Sequence, residues 1–211
     1  MPQNTEALLP VMTGQPVIPV IVLDDARHAV PLAKALAAGG LPAIEITLRT
    51  DAALESIRRV AAEVPEALVG AGTILNAAQF EAAVEAGSKF IVSPGLTPEL
   101  ADAAEGSPAP LLPGAVTASE IMAALEDGYS LLKFFPAEQA GGAAYLKSLS
   151  SPFGGVKFCP TGGISAKNAG DYLSLPNVLC VGGSWVAPKD AVAAGDWGRI
   201  TALAREVAQA A

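Results

Sequence analysis

Short apolar runs alternate with longer amphipathic stretches along most of this chain. The runs are rich in Val, Ile, Leu and Phe, recur about every 20 to 25 residues, and are each followed by a turn and an Ala-rich stretch of helical spacing. Apolar runs of this length predict strands that are buried on both faces, as in a parallel sheet. Eight strands are predicted, at residues 17–23, 43–48, 68–73, 89–93, 110–113, 130–135, 156–161 and 177–181.

Helical spacing fills the gaps between these runs. It predicts helices over 26–38, 51–63, 77–86 and 119–126, several of them opened by an Asp, Asn or Ser that can cap the first turn. Residues 5–12 are expected to form a short helix under the strands, within an N-terminal helical extension of residues 1–14, although Pro10 should weaken it.

Repetition of the strand and helix unit predicts the fold. Eight such units can close into a (β/α)8 barrel, the TIM barrel, and 211 residues fit an α/β barrel that forms one domain over residues 1–211. The alternative is an open doubly wound sheet, which usually has fewer strands and one Gly-rich nucleotide-binding turn. The sequence contains no G-x-G-x-x-G and no Walker-type phosphate loop, so the barrel is favoured.

Composition and charge restrict the partners. The chain is 51% hydrophobic and 16% charged, with a formal net charge of -8, and it lacks the clustered Lys and Arg that neutralise nucleic-acid phosphates. No apolar run approaches membrane-spanning length, and the first residues do not resemble a secretory leader. We therefore expect no nucleic acid, no membrane and a cytoplasmic location.

The few cysteine and histidine residues argue against a metal centre. Cys159 and Cys180 each lie inside an apolar segment, which predicts two buried thiols and no disulfide. His28 is the only histidine and is predicted at the surface, so a zinc site or a Ser-His-Asp triad has too few ligands.

One lysine stands inside the sixth apolar run. Lys133 is flanked by Leu131-Leu132 and Phe134-Phe135, and a buried lysine favours the neutral amine that attack on a ketone carbonyl requires. The alternative interpretation is an ion-paired or snorkelling lysine. Lys157, by contrast, begins its strand and is expected at the end of the barrel away from an active site.

A carboxylate, a guanidinium and a hydroxyl lie near the ends of the second and third strands. Glu45, between two isoleucines, could shuttle protons beside Lys133, although a structural Glu-Lys ion pair is the alternative. Arg49 is predicted nearer the rim, where it could hold a carboxylate bidentately. Thr73 supplies a hydroxyl at the predicted barrel mouth.

Two glycine pairs follow the last two predicted strands, at Gly162-Gly163 and Gly182-Gly183. Adjacent Gly-rich loops at the carboxyl end of a barrel can bind phosphate through backbone N–H groups, because glycine permits a close approach. Plain turns are the alternative.

Six segments together resemble one known family, the 2-keto-3-deoxy-6-phosphogluconate (KDPG) and 4-hydroxy-2-oxoglutarate (KHG) aldolases. They occur in the family's order between about residues 17 and 185. The segments are 44–50 (IEITLRT), 70–73 (GAGT), 93–95 (SPG), 133–137 (KFFPA), 158–164 (FCPTGGI) and 182–185 (GGSW).

The resemblance implies a role for each matching residue. Lys133 would form the Schiff base and Glu45 would be the general acid and base. Arg49 and Thr73 would bind the pyruvate carboxylate, and Thr161 would lie near the reacting carbon chain. The remaining implied contacts are Pro94 and Phe135 in the pocket lining, and Gly162, Gly163, Gly183 and Ser184 around the phosphate.

The reaction implied by the resemblance is class I aldol cleavage of KDPG to pyruvate and glyceraldehyde 3-phosphate, as in the Entner-Doudoroff pathway, with KHG as a second substrate. It needs no metal or organic cofactor, and the family usually forms homotrimers. Two rival hypotheses stay open. One is a sugar-phosphate isomerase or epimerase that uses Glu45 as base without a Schiff base, and the other is a non-catalytic sugar-phosphate-binding barrel.

Overall fold

The computed structural model describes residues 3 and 5–209, which contain eight parallel strands, and the first seven lie within the apolar runs that predict them. The strands are β1 (Val17–Ile21), β2 (Ala43–Thr47), β3 (Leu68–Gly72), β4 (Ile91–Val92), β5 (Leu111–Leu112), β6 (Leu131–Phe134), β7 (Lys157–Pro160) and β8 (Val181–Gly183). Every residue of β2 and β6 is buried, as expected for strands covered on both faces.

A helix follows each of the eight strands, and side chains cap several of these helices. The Asn76, Thr97 and Thr117 side chains each accept a hydrogen bond from the first turn of the helix that follows, and Glu120 completes a capping box with Thr117. The helices are α1 (Leu9–Thr13), α2 (Ala29–Ala38), α3 (Ala53–Glu63), α4 (Ala77–Glu85), α5 (Pro98–Ala104), α6 (Ala118–Glu126), α7 (Gly142–Leu149), α8 (Ala169–Leu173), α9 (Lys189–Ala194) and α10 (Trp197–Gln209), with short 3-10 turns at Thr5–Leu8 and Ala26–His28.

The strands form a curled parallel sheet of six and a separate pair. The order in the large sheet is β5-β4-β3-β2-β1-β8, and β6 pairs with β7. Single parallel bridges connect Gly114 with Lys133 and Thr161 with Gly182, on either side of the β6-β7 pair. The predicted α/β class with parallel strands is therefore confirmed.

The N-terminal helix packs against the amino-terminal part of the strands. Leu8, Val11 and Met12 belong to one apolar cluster with strand residues such as Leu131 and Cys159. Pro10 lies in the first turn of α1, where a missing N–H breaks no helical hydrogen bond, so it does not weaken the helix as expected. Of the predicted extension 1–14, residues 1, 2 and 4 lie outside the described residues.

The eighth strand lies later in the chain than its apolar run predicts. Residues 177–181 were expected, but β8 is Val181–Gly183, because Val17 and Pro19 of β1 pair with Val181 and Gly183. Gly182 and Gly183 therefore end a strand rather than form the loop after it. A Cβ on Gly182 would lie 2.3 Å from Thr161 Oγ1, and one on Gly183 would lie 1.8 Å from the Trp185 ring, so both positions require glycine.

No helix among the described residues combines the length and the apolar character needed to cross a membrane.

Candidate active site

A lysine and a glutamate form a buried ion pair between β6 and β2. Lys133 Nζ lies 3.1 Å from Glu45 Oε1, and their side chains are 5% and 4% exposed. The Lys133 backbone is fixed by the residues that follow β5, since its N–H donates to Pro113 O and its carbonyl accepts from Ala115 N–H. The structure thus brings together two predicted residues that are 88 positions apart in sequence.

Gly72 makes the space that the carboxylate occupies. A Cβ at this position would lie 2.0 Å from Glu45 Oε1 and 2.6 Å from Glu45 Cδ. Lys133 Nζ also lies 5.5 Å from the centre of the Phe135 ring. The amine therefore has a carboxylate and an aromatic ring as neighbours, and it is buried away from water.

Arg49 and Thr73 meet just beyond the ends of β2 and β3. Arg49 Nε donates to Thr73 Oγ1 at 3.0 Å. The strand predicted over 43–48 ends one residue earlier, at Thr47, and the Arg49 N–H donates back to the Thr47 carbonyl in the turn that follows. Thr73 has φ 59°, a left-handed conformation that is costly for a β-branched residue and that often marks functional sites.

A cavity of about 740 Å³ opens at the carboxyl ends of the strands. Among its lining residues are seven of the predicted site residues, namely Arg49, Phe135, Thr161, Gly162, Gly163, Gly183 and Ser184. Lys133, Glu45 and Thr73 do not line it, but Phe135 does, and the centre of its ring lies 5.5 Å from Lys133 Nζ, so the ion pair is a neighbour of the cavity wall.

Pro94 lies away from this cavity. It lines a second cavity of about 390 Å³ together with Leu75, Leu96 and Gly114. Its carbonyl packs closely against Gly114, where a Cβ would lie 2.1 Å from Pro94 O, and Gly114 bridges to Lys133. Pro94 is therefore connected to the lysine through the backbone and does not contact the main cavity.

The loop after β7 turns through two glycines in left-handed conformations, Gly162 with φ 102° and Gly163 with φ 76°. The loop after β6 runs beside it, since Ala137 N–H donates to Thr161 O at 2.8 Å and Glu138 N–H donates to Gly162 O at 3.2 Å. Asn168 Nδ2 donates to Gly163 O at 3.2 Å. Within residues 3 and 5–209, the N–H groups of Gly162 and Gly163 have no acceptor.

Four charged or titratable residues of the cavity were not predicted as site residues, namely Asp24, Asp25, His28 and Lys189. Asp24 and Asp25 follow β1, and active sites of barrels lie at the carboxyl ends of their strands, so the sequence carries a signal for both residues. The Asp25 carboxylate already has partners in its own turn, because it pairs with the Arg27 side chain and accepts the Arg27 N–H. These two interactions lower the pKa of Asp25 to about 2. His28 is partly exposed and stacks edge-on with Trp197.

Tyr172 of α8 was also missed. Its hydroxyl donates to Glu138 Oε1, and burial, followed by this hydrogen bond, raises the pKa of Tyr172 well above its usual range. No local pattern in the sequence indicates this contact between residues 34 positions apart.

The remaining chemical groups have structural roles. Cys159 and Cys180 are buried free thiols, as predicted, and a hydrogen bond with Cys159 together with burial raises the pKa of Cys180. Lys157 begins β7, pairs in register with the first residue of β6, and donates from Nζ to Pro176 O at 2.7 Å. The prediction that Lys157 lies at the opposite end of its strand from the site is confirmed.

Comparison with known proteins assigns the family. The family model for KDPG and KHG aldolases matches residues 9–203. A KHG/KDPG aldolase of Escherichia coli strain K12 is 53% identical over 95% of this chain and 94% of its own length. A 2-dehydro-3-deoxy-phosphogluconate aldolase of Dickeya dadantii is 54% identical over 93% and 92%.

Solved structures agree with this assignment. KDPG aldolase of Legionella pneumophila, with pyruvate captured at low pH as a covalent carbinolamine intermediate, superposes with a TM-score of 0.92. It is 48% identical, and the match covers 94% of this chain and 96% of that one. The chain therefore belongs to the KDPG and KHG aldolase family.

Proposed function

We propose that this protein is a class I aldolase, a lyase that cleaves KDPG reversibly to pyruvate and glyceraldehyde 3-phosphate through a Schiff base on Lys133. The observation that carries the proposal is the buried pair of Lys133 Nζ and Glu45 Oε1 at 3.1 Å. Buried ion pairs contribute little net stability, so a pair that neighbours the wall of a cavity is better explained by chemistry. The names of the relatives support KHG as a second substrate.

Imine formation begins with the proton between the two side chains. Transfer of a proton from Lys133 Nζ to Glu45 leaves a neutral amine, which attacks C2 of the keto acid to give a carbinolamine. Glu45 then protonates the departing hydroxyl, and water leaves as the imine forms. The Legionella relative captured with pyruvate as a carbinolamine supports this order of steps.

Cleavage uses the protonated imine as the electron sink, so the proposed reaction needs no metal or organic cofactor. Glu45, left as a carboxylate by the dehydration, takes the proton of the C4 hydroxyl, and the C3–C4 bond breaks. The electron pair of that bond forms the C2–C3 double bond of the enamine, and the π pair of the imine passes to its nitrogen. Glyceraldehyde 3-phosphate leaves, and the enamine accepts a proton at C3 from Glu45. Water then adds to the imine, which releases pyruvate and restores the Lys133 amine.

The other predicted residues bind the two ends of the substrate. Arg49, oriented by Thr73, would hold the pyruvate carboxylate, since a guanidinium binds a carboxylate bidentately. Thr161 and Phe135 would contact the carbon chain. Pro94 would support the position of Lys133 through Gly114, without contacting the substrate. The phosphate would bind at the free N–H groups of Gly162 and Gly163, together with Gly183 and the Ser184 hydroxyl.

We also infer that the eight strands close into a (β/α)8 barrel and that residues 1–211 form one domain. The bridges Gly114–Lys133 and Thr161–Gly182 support closure. We further propose that the enzyme is cytoplasmic and has no nucleic-acid or membrane partner, which agrees with a small phosphorylated substrate. A homotrimer is supported by exposed apolar side chains such as Leu75 and Met122, each 55% exposed.

Trapping the imine tests the chemistry. The protein is incubated with pyruvate, reduced with borohydride, and analysed by intact mass and peptide mapping. One pyruvyl adduct on Lys133 is expected, whereas Lys133→Ala should give none. Lys157→Ala is the matched control, since it removes a lysine far from the cavity, and it should be labelled like the wild type.

Each result separates the proposal from its rivals. Pyruvate that binds without forming an adduct would favour the isomerase hypothesis. Retention of sugar-phosphate binding without any turnover would favour the binding-protein hypothesis.

A further inference from the structure

The turn at Gly162 and Gly163 is held from one side by the loop after β6. Thr161 O and Gly162 O both accept hydrogen bonds from that loop, at 2.8 and 3.2 Å. A peptide unit is planar and trans, so its carbonyl and its N–H point in opposite directions. The N–H groups of Gly162 and Gly163 therefore point away from the loop after β6, and both remain without an acceptor in the described part of the chain.

Glu138 is the side chain that packs on this turn. A Cβ on Gly163 would lie 2.6 Å from Glu138 Cγ and 2.7 Å from Glu138 Cβ, so the stem of Glu138 fills the space where a side chain would be. Gly163 therefore lacks a side chain for two reasons, its left-handed φ and the presence of Glu138. Any shift of the Glu138 stem therefore changes the packing around Gly163 and the position of the turn.

Tyr172 fixes the position of Glu138. Its hydroxyl donates to Glu138 Oε1, and its side chain is 1% exposed in α8, the helix that follows the glycine turn. Glu138 itself is exposed, so without Tyr172 its carboxylate would be free to change position. The hydrogen bond thus links α8 to the loop that follows the Lys133 strand, with the glycine turn between them.

We propose that Tyr172 and Glu138 are positioning residues that set the selectivity of the site for a phosphorylated substrate. The proposal rests on the proposed aldolase function and on phosphate binding at the glycine turn. Tyr172 holds the Glu138 carboxylate in one place, and Glu138 holds the turn so that its N–H groups stay available to an anion. A released Glu138 would no longer pack against Gly163, so the turn would be free to change conformation and its N–H groups would lose the orientation that the phosphate requires.

The experiment compares two aldehyde acceptors that differ only in the phosphate. Condensation with pyruvate is measured with D-glyceraldehyde 3-phosphate and with D-glyceraldehyde, and the ratio of the two kcat/KM values defines the phosphate selectivity. In Tyr172→Phe, which removes one oxygen atom, we expect this ratio to fall about tenfold, or ~1.4 kcal/mol. The loss should come from KM for the phosphorylated acceptor, with kcat/KM for glyceraldehyde unchanged.

Further variants separate positioning from general damage. Glu138→Ala should lower the selectivity as Tyr172→Phe does. Glu138→Gln keeps the stem and an oxygen that accepts from Tyr172, so it should retain most of the selectivity. The matched control is Tyr129→Phe, because the Tyr129 hydroxyl is equally buried but has no hydrogen-bond partner within residues 3 and 5–209. Its selectivity should equal that of the wild type.

The outcomes are distinct. The inference is overturned if Tyr172→Phe and Glu138→Ala keep the wild-type selectivity, or if both acceptors lose activity in parallel, which would indicate only a loss of folding stability. If Tyr172→Phe does not fold, the comparison of Glu138→Ala with Glu138→Gln decides. A wild-type protein that condenses neither acceptor and forms no adduct with pyruvate would instead refute the proposed function.

Discussion

Gly72→Ala is the sharpest test of Glu45, because it moves the carboxylate without changing its chemistry. The new methyl carbon would start 2.0 Å from Glu45 Oε1, and such contacts are essentially never shorter than 3.0 Å, so the oxygen has to retreat by about 1 Å. That oxygen is the atom that contacts Lys133 Nζ at 3.1 Å. Gly72 has no positive φ, so alanine adds steric conflict and no backbone strain.

The expected loss follows from this displacement. Misplacing a catalytic group by 1 Å costs roughly 100-fold in rate, so kcat for KDPG cleavage should fall about 100-fold. Overpacking should also lower the free energy of unfolding by about 1–3 kcal/mol. Pyruvate release is followed through lactate dehydrogenase and NADH oxidation, and unfolding is followed by urea titration.

Gly70→Ala provides the matched control on the same strand. A Cβ there would lie 2.5 Å from two atoms of the Phe90 ring, a similar clash in which the three nearest atoms all belong to Phe90 and none to Glu45. This variant should lose comparable stability but keep the turnover of the wild type per folded molecule. Full turnover in Gly72→Ala, or an equal loss in both variants, would refute the role of Glu45 as the proton shuttle.

Three further predictions concern the ion pair, the carboxylate site and a helix cap. Lys133→Ala should abolish turnover and lower the free energy of unfolding by about 3–5 kcal/mol, because Glu45 is then buried without a partner. In urea titrations, the double variant with Glu45→Ala should regain part of that stability, and it should remain inactive. Arg49→Ala should raise KM for pyruvate about tenfold in the condensation direction while kcat changes less, and a fall in kcat alone would contradict its binding role. Hydrogen bonds from the Thr117 and Val116 N–H groups lower the pKa of Glu120 below 4.5, so its stabilisation is present above pH 4.5 and is lost as the pH falls through the lowered value. The thermal midpoint of Glu120→Gln should therefore depend less on acid pH than that of the wild type.

The parts of the molecule that the sequence predicts well depend on local pattern. A lysine next to leucine and phenylalanine and a glutamate between isoleucines both favour the interior, so the neighbours of Lys133 and Glu45 are enough to predict the burial that the structure shows. Strand positions follow from apolar runs for the same reason. Helix starts at Asn76 and Thr117 follow from capping chemistry, which acts within four residues.

The parts that it predicts poorly depend on contacts between distant segments. The hydrogen bond from Tyr172 to Glu138 and the left-handed Thr73 beside Arg49 arise only when separate loops meet, and no periodicity encodes them. The predicted position of β8 was wrong because Val17 and Pro19 of β1 determine it, and because two glycines that resemble a turn are needed in a strand beside Thr161 and Trp185.

The packing of α1 beneath the strands bears on the kinetic order of the reaction. With Leu8, Val11 and Met12 covering the amino-terminal end of the interior, the cavity at the opposite end is the route for both substrates and products. Lys133 is buried and does not line that cavity, so the fragment attached to it is the inner one. The aldehyde should therefore depart first and pyruvate last, so that pyruvate inhibits cleavage competitively and glyceraldehyde 3-phosphate inhibits it noncompetitively.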